Sequence, residues 1–164
     1  MSPRRRYFHH AVGFNYRMCA LQAAVGLAQL ERLPAFLARR RDIAEWYADA
    51  LSGLEGWALP TPYAPALPVT WLFTLQLRSW NHRARDRCIA DLQRDGIDAR
   101  PTFVPMSRLP MYRQVSMKHA GRIAAQGISL PTYTGLRASD VRAIISRFRE
   151  TADRCTSRRE QRRS

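Results

Sequence analysis

Apolar residues recur at three- and four-residue steps in Met18, Leu21, Val25 and Ala28, a spacing that predicts an amphipathic helix. Ala20, Ala23, Ala24 and Gly26 keep its faces thin, so another helix can approach it closely. Pro34 falls in the first turn of a second helix, where proline is tolerated. Phe36, Ile43, Tyr47, Leu51 and Leu54 form the apolar stripe of that helix, with Arg39, Arg40, Arg41, Asp42, Glu45 and Asp49 on its wetter side. The arginine run reads as a solvated face whose aliphatic stems lie on apolar surface, not as a binding motif. Gly53 and Gly56 close the helix, and Pro60, Pro62, Pro65 and Pro68 hold an extended connection.

The period then changes from helical to two. Val69, Trp71, Phe73, Leu75 and Leu77 alternate with Thr70, Thr74 and Gln76, which predicts a strand covered on one face; Leu72 suggests that its other face is partly buried too. A helix over Arg83 to Asp95 follows, with Cys88, Ile89 and Leu92 inward and Gly96 as its stop. Ile97 to Val104 reads as a second strand, pushed to an edge or bulge by Pro101. The stretch from Pro105 to Tyr112 has no periodicity and is expected to be a loop. A short helix from Met117 to Gln126, with Gly127 as its stop, and an extended piece from Gly127 to Pro131 come next. Ser139 is the expected N-cap of a last helix with Val141, Ile144, Ile145 and Phe148 inward, and the polar residues after Cys155 are expected to fray. Helices and a few non-parallel strands in separate layers make an α+β fold, with the helices packed on a short, mostly antiparallel sheet. The expected organisation is an N-terminal arm over 1–17, a domain over 18–155 and a basic tail over 156–164.

The 164 residues amount to one domain with a real core, and the 46% hydrophobic share excludes a disordered chain. No run of eighteen apolar residues exists, and the basic start Met1-Ser2-Pro3-Arg4-Arg5-Arg6 lacks the apolar stretch of a secretory signal. The net charge of +14 would suit a polyanion partner, but much of it sits in terminal runs, Arg4 to Arg6 and Arg158 to Arg163, and the rest is spread along helices. With no nucleic-acid-binding motif, neither nucleic acid nor membrane is an expected partner. Cys19, Cys88 and Cys155 are far apart and in no ligand spacing, and His9, His10, His82 and His119 are scattered, so no metal site is expected. A reduced, cytoplasmic compartment is the simplest setting for such cysteines.

Gly13-Phe14-Asn15-Tyr16-Arg17-Met18, with Tyr7-Phe8-His9 before it and the small-residue run Leu21 to Leu30 after it, resembles a block of the DegT/DnrJ-type sugar aminotransferases. Four further blocks follow in the order in which that family has them. They are Arg40-Arg41-Asp42-Ile43-Ala44 with Tyr47 and Leu51; Trp71-Leu72-Phe73; Gly96 to Pro105 with Leu109-Pro110-Met111-Tyr112; and Gly127 to Tyr133 with Leu136. Each is weak alone, and together they cover Tyr7 to about Ala152. Arg100-Pro101-Thr102-Phe103 and Pro110-Met111-Tyr112 lean toward the GDP-perosamine synthase branch, whose members move an amino group from glutamate to carbon 4 of GDP-4-keto-6-deoxymannose for surface polysaccharide.

The resemblance implies the small C-terminal domain of a fold-type I aminotransferase that uses pyridoxal phosphate (PLP), with its active site at a dimer interface. It implies that Asn15 reaches the PLP phosphate of a partner subunit, where a carboxamide N–H can donate without adding charge, and that Gly13 lets the loop turn tightly beside it. Read from the residues alone, Asn15 is an ordinary cap for the helix starting near Met18. Arg17 either pairs with an anion bidentately or ties the loop to its own domain. His9 either shapes the cofactor or substrate pocket or makes a structural hydrogen bond. Phe103 and Tyr112 either line the sugar-nucleotide pocket or belong to the core. Ser107 stands where the family usually has a His, which removes whatever that imidazole does in relatives.

The family's Schiff-base lysine lies in a large domain that precedes the Gly13 block, in a Ser-containing segment followed by a Gly-Gly pair. No such segment occurs in this sequence, and Lys118, the one lysine, matches no catalytic position and reads as a surface residue. The expectation is the C-terminal portion of a sugar-nucleotide aminotransferase, with no catalytic residue of its own. It would be inactive alone and complete only with a dimer mate or partner chain that supplies the large domain. The competing reading is a non-catalytic basic binding or dimerisation module.

Overall fold

The computed structural model describes residues 6, 8–9, 11–13, 17–60, 66–113 and 115–160, with side chains described as far as Cys155. Two helices come first, α1 (Ala20–Glu31) and α2 (Leu33–Ala50), followed by strands β1 (Trp57–Ala58) and β2 (Phe73–Leu77). Helix α3 (His82–Arg94), strand β3 (Arg100–Pro101) and a 3-10 turn at Met106–Arg108 lead to helix α4 (Lys118–Gln126), strand β4 (Gly127–Leu130) and helix α5 (Ala138–Glu160). The strands form one antiparallel sheet in the order β1-β2-β4-β3, so the α+β architecture is as expected, with Pro101 on an edge strand where its missing N–H costs no ladder bond.

The register pairs Phe73 with Leu130 and Leu75 with Ile128, which puts these apolar side chains on one face of the sheet. They join Ile43 and Tyr47 of α2, Cys88, Ile89 and Leu92 of α3, and Val141, Ile144, Ile145 and Phe148 of α5 in a single buried cluster. Tyr47 stacks on Phe73 with ring centroids 4.9 Å apart, and its hydroxyl donates to the Pro131 carbonyl at 2.9 Å. Trp57 packs edge-on against both Trp80 and Phe148. The opposite face carries Thr74 and Ser129, whose hydroxyls lie 2.9 Å apart.

Several expectations change. The predicted strand over 69–77 shortens to β2, because Thr70 adopts a left-handed backbone (φ 47°) that breaks the alternation and leaves Val69 and Trp71 exposed. Strand β1 was not expected; it pairs Trp57 with Leu77 just after the Gly56 turn. The strand predicted over 97–104 pairs only at Arg100–Pro101. The start of α5 is held by Asp140, whose carboxylate accepts the Arg137 backbone N–H at 2.9 Å and holds its own pKa below the ordinary carboxylate range, so Ser139 is not the cap. Helix α5 also continues past Cys155 to Glu160 rather than fraying there, since Arg158, Arg159 and Glu160 are good helix formers.

The Arg39–Arg41 run is not merely a solvated face. Arg39 donates to the carbonyls of Thr134 and Leu136, and Arg40 to the carbonyl of Trp71 and the Thr132 hydroxyl, so both tie α2 to the segment that follows β4. Arg41 turns back on its own helix, donating to Leu37, and Arg39 also lies 3.9 Å from Asp42 of the same helix. Gly127 is required by crowding rather than by a left-handed helix end, since a Cβ there would lie 2.3 Å from the Thr102 methyl.

Helix α1 stands apart. None of its residues is buried: Leu21, Val25, Leu27 and Leu30 are 52–75% exposed, and Met18 just before it is 72% exposed. The thin, Ala-rich helix expected from the sequence is present, but nothing among the described residues covers it.

Candidate functional site

The arm that precedes α1 carries the residues singled out from the sequence. Gly13 and Arg17 are exposed, and no atom lies within 4 Å of where a Cβ on Gly13 would sit. Arg17 makes no hydrogen bond or ion pair with any described residue. His9 is exposed as well. Asn15 lies outside the described residues. Helix α1 begins at Ala20, and the Cys19 backbone N–H donates to the Gln22 side chain at 2.9 Å.

Phe103 does not join the core. It stacks on Trp71 at 5.9 Å between centroids, and both rings remain about half exposed (48% and 59%). Tyr112 is 40% exposed, and its backbone closes the turn that follows Leu109. Trp71 was read from the sequence as an inward strand residue. Its place beside Phe103 follows from the Thr70 backbone, which no local pattern announces. Trp71 borders a groove of about 560 Å³ between the middle of α2 and the turn after β4, lined among others by Arg40, Arg100, Thr132 and Tyr133. Asp98 at this groove is held below the usual carboxylate range by a hydrogen bond from Arg100, so it stays ionised through the neutral range.

Ser107 lies in the 3-10 turn with a buried hydroxyl that has no hydrogen-bond partner among the described residues. Lys118 is exposed at the first residue of α4. It is not enclosed as a nucleophilic lysine is. Cys88 and Cys155 are buried where α3 meets α5, and Cys88 donates to Cys155; that bond and burial hold the Cys88 thiol protonated. Among the described residues no group of three His, Cys, Asp or Glu could hold a metal, and no helix is long and apolar enough to cross a membrane.

Among the described residues, the arrangement offers donors and aromatic surface. The arm presents backbone and guanidinium donors away from the core, and α1 presents an apolar face. Both features suit a domain whose working surfaces are completed by other chain.

Comparison with known proteins identifies the family. Residues 1–149 match the DegT/DnrJ/EryC1/StrS aminotransferase family. The GDP-perosamine synthase of Caulobacter vibrioides is 39% identical over 151 residues, covering 89% of this chain and 40% of that protein. The enzyme of the same name from Vibrio cholerae is 35% identical over 146 residues, covering 87% and 40%. Among solved structures, the aminotransferase TlmJ from Streptoalloteichus hindustanus superposes with a TM-score of 0.71 at 28% identity, over 80% of this chain and 35% of that one. The chain belongs to the DegT/DnrJ/EryC1/StrS aminotransferase family and spans about 40% of the length of the curated relatives it matches.

Proposed function

We propose that this member of the family is the C-terminal portion of a PLP-dependent aminotransferase acting on keto-sugar nucleotides, of the type that forms GDP-perosamine. On this reading it acts only together with a lysine-bearing large domain, carried by the same polypeptide or another. The observation that carries the reading is the match of nearly the whole chain to GDP-perosamine synthases at 39% and 35% identity.

The residues present fit one end of the cofactor and not the other. Asn15, Gly13 and Arg17 are the candidates for the phosphate end. Gly13 is uncrowded and Arg17 has no partner among the described residues, so the arm is available to donate to an anion held outside this chain. No described residue suits the ring end, because Lys118 is exposed and far in type and setting from a desolvated nucleophilic amine. PLP, when bound, supplies the electron sink for amino transfer. This chain's part is to orient the phosphate through Asn15 and Arg17 and to help close water out of the site. Phe103 and Tyr112 are exposed aromatics that can pack against a sugar nucleotide once a second domain faces them, and His9 on the arm is a further candidate for the same pocket.

The test is amino transfer from labelled glutamate to GDP-4-keto-6-deoxymannose, measured with the chain alone and with the large domain of a GDP-perosamine synthase added as a second polypeptide. The expected result is no product from the chain alone and product from the pair. Product from the chain alone, or none from a pair shown to associate, contradicts the proposal.

A further inference from the structure

Two of the three cysteines, far apart in sequence, come together in the fold. Cys88 of α3 and Cys155 of α5 share the buried cluster, and the amino-transfer reading uses neither. Cys88 is fully buried, while Cys155 is 3% exposed and lines a cleft of about 200 Å³ at the seam of the two helices. The rest of that lining is charged: Arg87, Asp91, Arg94 and Asp95 from α3, and Arg154 from α5. Both acids are already paired, Asp91 with Arg94 and Asp95 with Arg147 at 2.8 Å. Arg154 donates to the Thr151 hydroxyl at 3.0 Å.

This setting acts on the Cys155 sulfur. The hydrogen bond from Cys88 lowers its pKa to about 7, and the charges of Arg87 and Arg154 work the same way, against burial and the charge of Asp91. Near neutral pH a large share of Cys155 is therefore thiolate, the form that attacks an oxidant, while Cys88 keeps its proton. A positive cleft at one thiol, with a second thiol in contact behind it, is the arrangement of a redox-active pair rather than of two inert core cysteines. At 3% exposure Cys155 is open only to a reagent scarcely larger than water, so bulky thiol reagents stay out of the folded domain.

We infer that Cys155 is a site of reversible oxidation by hydrogen peroxide, with Cys88 as its resolving thiol, and that the product is a disulfide tying α5 to α3. In the first step the Cys155 thiolate attacks peroxide. A sulfur–oxygen bond forms, the oxygen–oxygen bond breaks, and hydroxide leaves behind a sulfenic acid. In the second step the Cys88 sulfur attacks the sulfenic sulfur. The sulfur–sulfur bond forms, and the departing hydroxyl takes the Cys88 proton and leaves as water. Two thiols are thus oxidised and one peroxide is reduced to water. Reversible disulfides of this kind occur in reducing compartments as redox sensors. The pair shares no residue with the Gly13–Arg17 arm or with the groove beside Trp71, so it stands or falls independently of the amino-transfer reading.

The test uses the full chain with Cys19→Ser, which removes the exposed thiol that would couple two chains. Hydrogen peroxide at pH 7, added to protein shown by circular dichroism to be folded, should lower the intact mass by about 2 Da, the loss of two hydrogens. Peptide mapping without reductant should find Cys88 joined to Cys155, and dithiothreitol should restore the original mass. Adding Cys88→Ala removes the resolving thiol, so Cys155 should stop at the sulfenic acid and be captured by dimedone. That variant also loses the hydrogen bond that lowers the Cys155 pKa, so the pH at which oxidation reaches half its maximal rate should rise above about 7. An unchanged mass after peroxide overturns the inference, as does an oxidised product in which mapping finds no link between residues 88 and 155. Equal dimedone capture with and without Cys88 overturns its role as the resolving thiol. The mass and mapping results need only the Cys19→Ser chain, so they decide the matter even if Cys88→Ala does not fold.

Discussion

Replacing Tyr47 with Phe removes a single oxygen from the middle of the domain, and its consequence can be worked out from the contacts around it. The side chain is fully buried, its ring stacks on Phe73, and its hydroxyl donates to the Pro131 carbonyl at 2.9 Å. Phenylalanine keeps the ring and the stacking but takes the donor from Pro131, where the chain turns from β4 toward the groove. A buried polar group left unmatched costs about 1–3 kcal/mol. For a domain of this size each kcal/mol moves the melting temperature by about 2–4 °C, so Tm at pH 7 should fall by about 2–12 °C. A second readout follows from the hydroxyl's own titration. Burial, and secondarily the neighbouring Tyr133, push its pKa above the ordinary tyrosine value. The unfolded chain releases this proton near pH 10 while the folded domain still holds it. The hydroxyl's stabilising contribution is therefore complete below about pH 10 and lost as pH rises beyond it. Tyr47→Phe should accordingly flatten the alkaline limb of the stability curve as well as lower it at pH 7. Circular-dichroism melts from pH 7 to 11 check both effects. An unchanged or higher Tm at pH 7, with the same alkaline slope, would refute the reasoning.

Three further outcomes are expected. Ser107→Ala removes a buried hydroxyl with no partner, so the melting temperature should hold or rise; a fall of several degrees would mean that the hydroxyl is bonded after all. Of the three cysteines, Cys19 is exposed and should react quickly with a thiol reagent, while Cys88 and Cys155 should react only on unfolding; three equally fast thiols in the folded protein would contradict the packing of α3 on α5. The uncovered apolar face of α1 should drive the isolated chain to associate at micromolar concentration, and Leu21→Glu should shift it toward monomer in sedimentation velocity. A sharply monomeric wild type would count against the view that α1 is completed by other chain.

Helices α2, α3 and α5 were legible because each buries one stripe at helical spacing. Ile43 and Tyr47, Cys88 with Ile89 and Leu92, and Val141 with Ile144, Ile145 and Phe148 all reach the core as their spacing predicts. The shortest strands were not legible, since two residues such as Trp57 and Ala58 carry no period and are specified by the partner strand. The start of β2 was misread because a left-handed threonine at position 70 runs against its own β-branched preference. Arg39 and Arg40 looked like solvated charges because their acceptors are more than 90 residues away for three of their four bonds, and backbone carbonyls leave no mark in composition. The arm at Gly13 and Arg17 was singled out only through family resemblance, since nothing in its polarity distinguishes a donor loop from an ordinary surface turn. The Trp71–Phe103 pair depends on tertiary contact alone.

On the proposed reading, the arm of this chain completes a cofactor site whose lysine lies in another domain. The most direct measurement is the dissociation constant of PLP from the chain paired with a matching large domain, compared between wild type and Asn15→Asp. The substitution sets a carboxylate against the cofactor phosphate, and like charges at contact distance repel. It leaves the start of α1 alone, because that cap belongs to Cys19 and Gln22. The predicted result is PLP binding about tenfold weaker or more, the equivalent of about 1.4 kcal/mol, with an unchanged melting temperature. Identical PLP binding by the two versions would contradict the claim and remove Asn15 from the site.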